Sequence, residues 1–258
     1  MFFHLPVFLY SLVYFAVIEM AIGGKASEFL GDVFVGHFWL GIFIVMAITA
    51  YFYKAAKNLS DRAYMTPIPV VYVISAFGLQ YFLSSPVEKN VVAVLSAVGY
   101  YFIHIALYRL KIYQKDRTAH SIIAAGNVAA VFFFYSAAFG IYINFNISLW
   151  ILMSLLALVT TLISFQYFWL IKKDRLVVSS YSITVGLVMA EIVWLSSFWP
   201  FGYLTTGAIS LIFYYVFLDL VSGYFVGNLS KKRVIAMLIF FVVMIVAVLA
   251  GSPWLPVV

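Results

Sequence analysis

The sequence predicts an all-α fold, a single integral membrane domain over residues 1–258 made of nine transmembrane helices. Of its residues, 66% are hydrophobic and only 9% are charged. A soluble domain of this length has too little interior to bury so much apolar surface, so lipid is the predicted solvent for most of the chain. The apolar residues also form nine runs long enough to cross a bilayer as helices, about 17–25 residues each. The cations fall almost entirely between these runs.

The first four spans are predicted at 5–22, 33–53, 63–83 and 91–108. The first lacks the basic start and the small-residue cleavage site of a typical signal peptide, which favours a retained helix. The second and fourth end where the apolar run meets a cation, at Lys54 and Arg109. The third follows the basic connection that ends at Arg62.

The last five spans are predicted at 121–143, 147–171, 176–199, 202–226 and 234–250. Small residues such as Gly126, Ala130 and Gly140 crowd the fifth span. Helices approach closely over such faces, so this span is predicted to lie centrally in the bundle. The connections at 144–146 and 200–201 have two or three residues and indicate tight helical hairpins.

The cations predict the orientation of the helices. Of the 15 Lys and Arg residues, all but Lys25 and Lys89 lie in alternate connections. Short basic loops stay on the cytoplasmic side, which places the N-terminus inside, the C-terminus outside, and the protein in a cytoplasmic-type (inner) membrane. The four basic connections are 54–62, 109–119, 172–175 and 231–233.

The basic connections recur at a regular spacing. Their last cations stand at 62, 117, 175 and 233, and three connections end in an Asp-Arg pair: Asp61–Arg62, Asp116–Arg117 and Asp174–Arg175. The chain is therefore predicted to form four out-and-back helical hairpins followed by one unpaired helix. Duplication of an ancestral hairpin gives such a period, and so does the length of two spans with two short loops. The hairpins share little beyond their basic ends, which favours the second explanation.

Residue types narrow the choice of ligands and partners. The chain has no cysteine, which excludes disulfides, thiolate metal sites and iron–sulfur clusters. No two histidines share the depth that a bis-histidine haem requires, and no metal-binding spacing occurs, so no cofactor is predicted. The net charge of +6 is divided among four connections, so nucleic acid is not a predicted partner. Membrane lipids are predicted partners, and a homo-oligomer or a membrane-protein partner is left open.

Ionisable side chains inside a bilayer are costly unless they are paired or solvated, which makes each one a candidate site. Glu191 is about 12 Å from the outer end of the seventh predicted span, and Asp219 is about 10 Å from the inner end of the eighth. His104 lies at nearly the depth of Asp219 and could pair with it. Tyr215 lies between the two carboxyl groups in depth and could relay hydrogen bonds. The alternative is that each of these side chains is a buried polar anchor that fixes neighbouring helices.

Three functions remain open on these grounds. The favoured one is a small transporter or channel for a proton, a cation or a lipid-like substrate, because no lysine or arginine lies well inside a span to hold an anion. The second is a non-catalytic structural or assembly subunit of a membrane complex. The third is a lipid-modifying enzyme that uses the charged first outer connection, with Lys25, Glu28 and Asp32. That connection is short for a substrate site, so an enzyme is the least favoured.

The C-terminal quarter of the chain carries a resemblance. It contains the in-membrane Glu191, then Pro200, the paired tyrosines Tyr214 and Tyr215, a Lys-Lys-Arg turn, a last span and Trp254. This segment resembles uncharacterised bacterial multi-pass membrane proteins. The resemblance implies a polytopic helical protein and lends no activity and no site residue.

Overall fold

The computed structural model describes residues 5–22 and 38–252, and the regular secondary structure in these ranges is helical. A short 3-10 helix at Ala63–Met65 precedes the third of the nine α-helices in the described ranges. The α-helices are α1 (Leu5–Ile22), α2 (Phe38–Ser60), α3 (Pro67–Phe82), α4 (Pro86–Ile112), α5 (Arg117–Phe145), α6 (Leu149–Ile171), α7 (Arg175–Ser196), α8 (Tyr203–Val226) and α9 (Lys231–Gly251).

Seven helical segments in the described ranges are long and apolar enough to cross a membrane, while the apolar part of α1, Leu5–Met20, is shorter. The protein is thus an all-helical chain with the composition of a membrane protein. The exact number of spans remains a prediction. The predicted second span began at residue 33, and its first five residues lie outside the described ranges.

Several helices extend past the apolar runs that predicted them. α4 continues to Ile112, with Arg109 and Lys111 in its last turn, and α2 passes through Lys57 to Ser60. Cations are favourable at this end of a helix because they face the unpaired carbonyl groups of the last turn. Their long alkyl stems also lie along apolar surface while the charge reaches water. An apolar run therefore marks the hydrocarbon-crossing part of a helix and not its full length.

The chain forms two compact units, which divide within α5 between Ala130 and Val131. The single domain expected over residues 1–258 remains a prediction. In the first unit, α1 packs against α4, and α2 and α3 pack against α4 as well. Its core contains stacked tyrosine rings, with Tyr14 and Tyr100 centred 4.7 Å apart. The Tyr72 hydroxyl links α3 to α4 by donating to the Ser96 carbonyl at 3.1 Å.

In the second unit the closest pair of helices is α6 and α7. Gly186 allows this approach, since a Cβ there would lie 2.7 Å from the Ala157 carbonyl oxygen and would also overlap the Thr161 hydroxyl. α9 packs along α8, and none of its described residues is buried. Two aromatic pairs join these helices, Phe213 with Phe241 and Tyr215 with Phe240. The predicted hairpins pair helices across the outer connections, whereas α6 and α7 are joined by a basic connection. The grouping into four out-and-back hairpins therefore stays a prediction.

The recurring Asp-Arg pair has a local explanation at two of its three positions. Asp174 caps α7, its carboxylate accepting the Val177 N–H at 3.2 Å. Asp116 does the same for α5, accepting the Ala119 N–H at 3.1 Å. Ser230 takes this role ahead of α9, where its hydroxyl oxygen accepts the Arg233 N–H at 3.3 Å. Aspartate and serine are preferred at such positions because they satisfy an otherwise unpaired N–H of the first turn.

Candidate functional site

A row of hydroxyl groups winds along α8 and turns by about 40° around the helix at each four-residue step. Thr206, Ser210, Tyr214 and Ser222 are spaced by multiples of four residues, and Leu218 occupies the remaining place. Thr206, Ser210 and Tyr214 are buried, and Ser222 is half-buried. At 1.5 Å rise per residue the row is about 24 Å long. We call these five positions the α8 row; it extends over most of the thickness of a bilayer core, about 30 Å.

Neighbouring helices add buried hydroxyl groups to the middle of the second unit. Tyr135 of α5 and Thr160 of α6 share a hydrogen bond of 2.8 Å. One turn further along α6, Ser164 is 3.2 Å from the Tyr214 hydroxyl of the α8 row. All four side chains have zero exposure. Three helices therefore bring hydroxyl groups together where the surroundings are otherwise apolar.

Two further hydroxyl groups in this region have no hydrogen-bond partner among the described residues. Ser210 of the α8 row and Ser136 of α5 are fully buried, and the oxygen of each is unpaired. Ser136 lies directly against Gly207, where a Cβ would come within 2.9 Å of the Ser136 nitrogen. An unpaired buried hydroxyl costs about 1–3 kcal/mol.

Asp219 lies near the last turns of α8 and binds Arg233 of α9 through both carboxylate oxygens. The Arg233 Nη2 donates to Oδ1 at 2.6 Å and Nε donates to Oδ2 at 3.1 Å. The two side chains are 21% and 33% exposed, so the pair is largely shielded from solvent. Arg233 lies over Gly223, 3.4 Å from the position of a Cβ there. The turn between the helices is made by Gly227 with φ 72°, a conformation that glycine adopts at little cost.

Tyr167 of α6 reaches the same place. Its hydroxyl group lies close enough to Ser222, Asp219, Tyr215 and Arg233 to interact with them electrostatically. Ser222 itself donates to the Leu218 carbonyl at 2.5 Å. The α8 row thus meets a carboxylate, a guanidinium and a phenol at its C-terminal end. We call Tyr167, Asp219, Ser222 and Arg233 the α8 terminal cluster.

Tyr215 and Glu191 lie apart from the α8 row. Tyr215 is 37% exposed and packs beside Phe240 of α9. Glu191 is exposed on α7, and within the described ranges it makes no hydrogen bond or ion pair. Because α7 ends at Ser196, Glu191 is about 8 Å from the end of its helix. This is closer than the 12 Å expected when the span was extended to residue 199.

His104 belongs to the first unit and is completely buried. Its Nδ1 donates to the Tyr100 carbonyl at 3.1 Å, because a carbonyl can only accept. That leaves Nε2 unprotonated in the neutral ring, and Nε2 has no hydrogen-bond partner in the part of the chain that the structure describes. The rings of Tyr100 and Tyr10 lie beside it, at 4.0 and 6.5 Å between centroids. Asp219, which shares its predicted depth, has Arg233 as its partner instead.

The sequence indicated the α8 carboxylate but not its surroundings. Arg233 was assigned only to topology, although it follows Asp219 by 14 residues across a tight turn. The sequence indicated Tyr214, Tyr215 and Ser222 as hydrogen-bonding groups near Asp219, but it missed the row that Thr206 and Ser210 continue. The four-residue spacing of that row is the signal that could have found it. In the parts of the chain that the structure describes, no group of three metal-binding side chains occurs. His4, His37, Lys25, Glu28 and Asp32 lie outside those parts.

These features define a class, a multi-helix membrane protein whose polar side chains are concentrated on a few helix faces. The chain belongs to the family described as "Protein of unknown function (DUF5656)", which it matches over residues 14–251. The match covers most of the chain and so extends well beyond the C-terminal quarter on which the resemblance rested. No curated protein and no solved structure matches the chain.

Proposed function

We propose that this protein is a small transporter or channel that moves protons or a small cation along the α8 row. The observation that supports the proposal is the series of buried hydroxyl groups that winds along α8 to the α8 terminal cluster, where Asp219 lies. Hydroxyl groups both donate and accept hydrogen bonds, so a chain of them can pass a proton or replace part of the hydration shell of a cation.

The direction of the path follows from the proposed topology. In that topology the basic connections lie on the cytoplasmic side of a cytoplasmic-type (inner) membrane, so the α8 terminal cluster opens toward the cytoplasm and Thr206 lies toward the outside. A cation entering from outside meets Thr206 first, then Ser210 and Tyr214. It then reaches Asp219 in the α8 terminal cluster, where the carboxylate supplies the negative charge that the row lacks.

Two features give this path a means of control. Leu218 interrupts the hydroxyl row between Tyr214 and Ser222, and an apolar constriction excludes water. Arg233 occupies both oxygens of Asp219, so a cation or proton must displace it in order to bind there. Release of Arg233 also loosens α9, because this pair joins the beginning of α9 to α8. In the proposed mechanism, arrival of the ion and movement of α9 are one event.

A specific observation also favours the second candidate function, an assembly subunit. None of the described residues of α9 is buried, and α7 carries the exposed Glu191. Helices that expose so much surface can seat partner helices as well as lipid. In that case the buried hydroxyl groups serve to hold α5, α6 and α8 together.

The two functions are separated by ion flux into proteoliposomes that contain the purified protein. Ser210→Ala and Tyr214→Phe remove hydroxyl groups from the α8 row with little change of shape, and they are expected to reduce proton or sodium flux at least tenfold. Ser180→Ala is the matched control, because this hydroxyl lies on the exposed side of α7 and bonds only to its own helix. If liposomes with the wild-type protein pass protons, sodium and potassium no faster than empty liposomes do, the transporter proposal is wrong.

A further inference from the structure

The exposed face of α7 has the chemistry of a surface that binds a second copy of the same chain. Its exposed residues recur every three or four positions and so form one stripe along the helix. Most are apolar and would suit lipid equally well. We call this stripe the α7 face; it consists of Ile183, Leu187, Glu191, Trp194 and Leu195 and continues to Phe198 in the turn after the helix.

Two polar groups distinguish the α7 face from a surface for lipid alone. Glu191 presents a carboxyl group with no hydrogen bond or ion pair in the described part of the chain. One turn further on, Trp194 is 47% exposed and carries an indole N–H, which can only donate. A carboxyl group among hydrocarbon chains is costly unless it finds a partner, and lipid tails offer no donor.

The acceptor and the donor lie on the same patch, which is the requirement for a self-complementary interface. In a two-fold dimer each patch faces its own copy, so residue i contacts residue j and residue j contacts residue i. With the axis along the membrane normal the two α7 helices run parallel. Glu191 and Trp194 then differ in height by about 4.5 Å, a distance that these side chains can bridge.

We propose that the protein forms a two-fold dimer through the α7 face, in which Glu191 of each copy accepts a hydrogen bond from Trp194 of the other. Leu187 and Leu195 flank this pair on the helix and pack across the axis. The interface needs no other protein, because the patch supplies both members of the bond. The inference is independent of ion transport, since none of these residues belongs to the α8 row or the α8 terminal cluster.

Single-cysteine cross-linking in native membranes tests the dimer, because the natural chain contains no cysteine. Leu187→Cys is expected to give a disulfide-linked dimer with a membrane-permeant oxidant. Val243→Cys is the matched control: Val243 lies on α9, and its exposure, 59%, equals that of Leu187. Equal dimer yields at the two positions, no dimer at position 187, or cross-linking of position 187 to a different protein would each overturn the proposal.

The polar pair is tested in the Leu187→Cys background. Glu191→Ala or Trp194→Phe removes one hydrogen-bonding group from each copy. From the strength of interhelical hydrogen bonds in membranes, this loss is expected to weaken dimerisation about three- to thirtyfold. Glu191→Gln keeps an acceptor and should retain most of the cross-linking. If Glu191→Ala leaves the yield unchanged while dimers still form, the assignment of Glu191 to the interface is wrong.

Discussion

At the scale of single residues, Asp219 shows how a carboxylate is accommodated inside an apolar helix. Its charge is balanced by Arg233 from the next helix, through two hydrogen bonds in parallel. A pair in this geometry is stronger than a single contact between charges, because both oxygens are satisfied at once. The cation at the end of the basic connection therefore does more than set topology: it stabilises the junction of α8 and α9.

Removing one member of this pair is expected to destabilise the protein more than removing both. Arg233→Gln leaves a partly buried carboxylate without its partner, whereas the combined change with Asp219→Asn leaves two neutral groups that can still bond. The expected coupling is on the order of 1–3 kcal/mol, measured by thermal unfolding of the four proteins in detergent. Lys232→Gln, at the adjacent exposed cation, is the control and should have little effect. Strictly additive changes would show that the pair contributes nothing.

The surroundings of Asp116 predict that the stability of the folded protein depends on pH. The hydrogen bond from the Ala119 N–H, with the Arg109 guanidinium beside it, holds the pKa of this carboxyl below its ordinary value. The ionised Asp116 carboxylate therefore stabilises the folded protein fully above the pKa that this side chain has in the unfolded chain, about 3.9. This stabilisation is lost as the pH falls through the lower pKa of Asp116 in the folded protein. The midpoint of unfolding of wild type should exceed that of Asp116→Asn at pH 6, and the difference should shrink below about pH 4. A difference that is constant between pH 3 and 6 would contradict this assignment.

Which residues are polar at membrane depth could be predicted from the sequence, but their partners could not. Depth follows from counting residues along a helix, and this placed Asp219 about 10 Å from the end of its span, where the structure also has it. The direction in which a side chain faces depends on how helices pack. Glu191 and Asp219 looked alike in the sequence, yet one is exposed on α7 and the other is paired with Arg233.

At the scale of helices, capping decides where the chain turns. Asp116, Asp174 and Ser230 each satisfy an N–H of a first turn, and the cation that follows in the next residues marks the membrane boundary. The Asp-Arg pair at 61–62 differs, because Asp61 has a positive φ of 59° and its carboxylate lies 3.7 Å from Lys111. Two of the three pairs thus share a physical cause that needs no common ancestor.

Asp174→Ala is expected to destabilise the start of α7 by about 1 kcal/mol, because the Val177 N–H loses its acceptor. Asp174→Ser keeps an oxygen at this position and should restore most of the loss. Hydrogen exchange of the Val177 amide measures the effect directly, and it should be several times faster in the alanine variant alone. Equal exchange rates in the two variants would mean that the cap is not formed.

The contact of α6 with α7 depends on the absence of a side chain at Gly186. Gly186→Ala places a methyl group against the Ala157 carbonyl oxygen and the Thr161 hydroxyl. Overpacking of this kind costs about 1–3 kcal/mol, seen as a lower midpoint of thermal unfolding. Gly202→Ala is the control, since nothing lies within 4 Å of a Cβ at that position. Unchanged stability of Gly186→Ala would show that the two helices separate easily.

The existence of the helices was predictable because a long apolar run in lipid has few alternatives to a helix. The residues at which the helices end were harder to predict. The predicted fourth span stopped at residue 108 and α4 stops at Ile112, since hydropathy falls at the first cation while the helix continues. Small residues at Gly186 and Gly207 signal close approach, but the sequence does not say which helix approaches.

At the scale of the whole molecule, the proposed topology has a direct test. In intact cells a membrane-impermeant maleimide should label Ser84→Cys and Asn146→Cys, which lie in connections predicted outside. Lys115→Cys and Lys231→Cys should react only after the membrane is opened. Each site is exposed in the structure, and the chain has no cysteine to give background labelling. The reverse labelling pattern would mean that the topology is opposite to the proposed one and that the α8 terminal cluster lies outside.

The all-helical architecture is the part of the molecule that composition alone makes predictable, whereas the division within α5 is not. The small residues of the fifth span predict a central helix, and this remains a prediction. The first half of α5 belongs to one compact unit and its second half to the other. A pattern of small residues records that a face packs closely. It does not record whether one set of neighbours or two will occupy that face.

The pairing of Asp219 with Arg233 has a consequence for the order in which the protein is made. The carboxylate is synthesised 14 residues before the guanidinium that neutralises it, an interval of about 1–3 s at ordinary elongation rates. Until then α8 is a helix that carries an uncompensated charge. Its stable integration must therefore wait for the next few residues of the nascent chain, which makes α8 and α9 a single unit of biogenesis although they are separate helices.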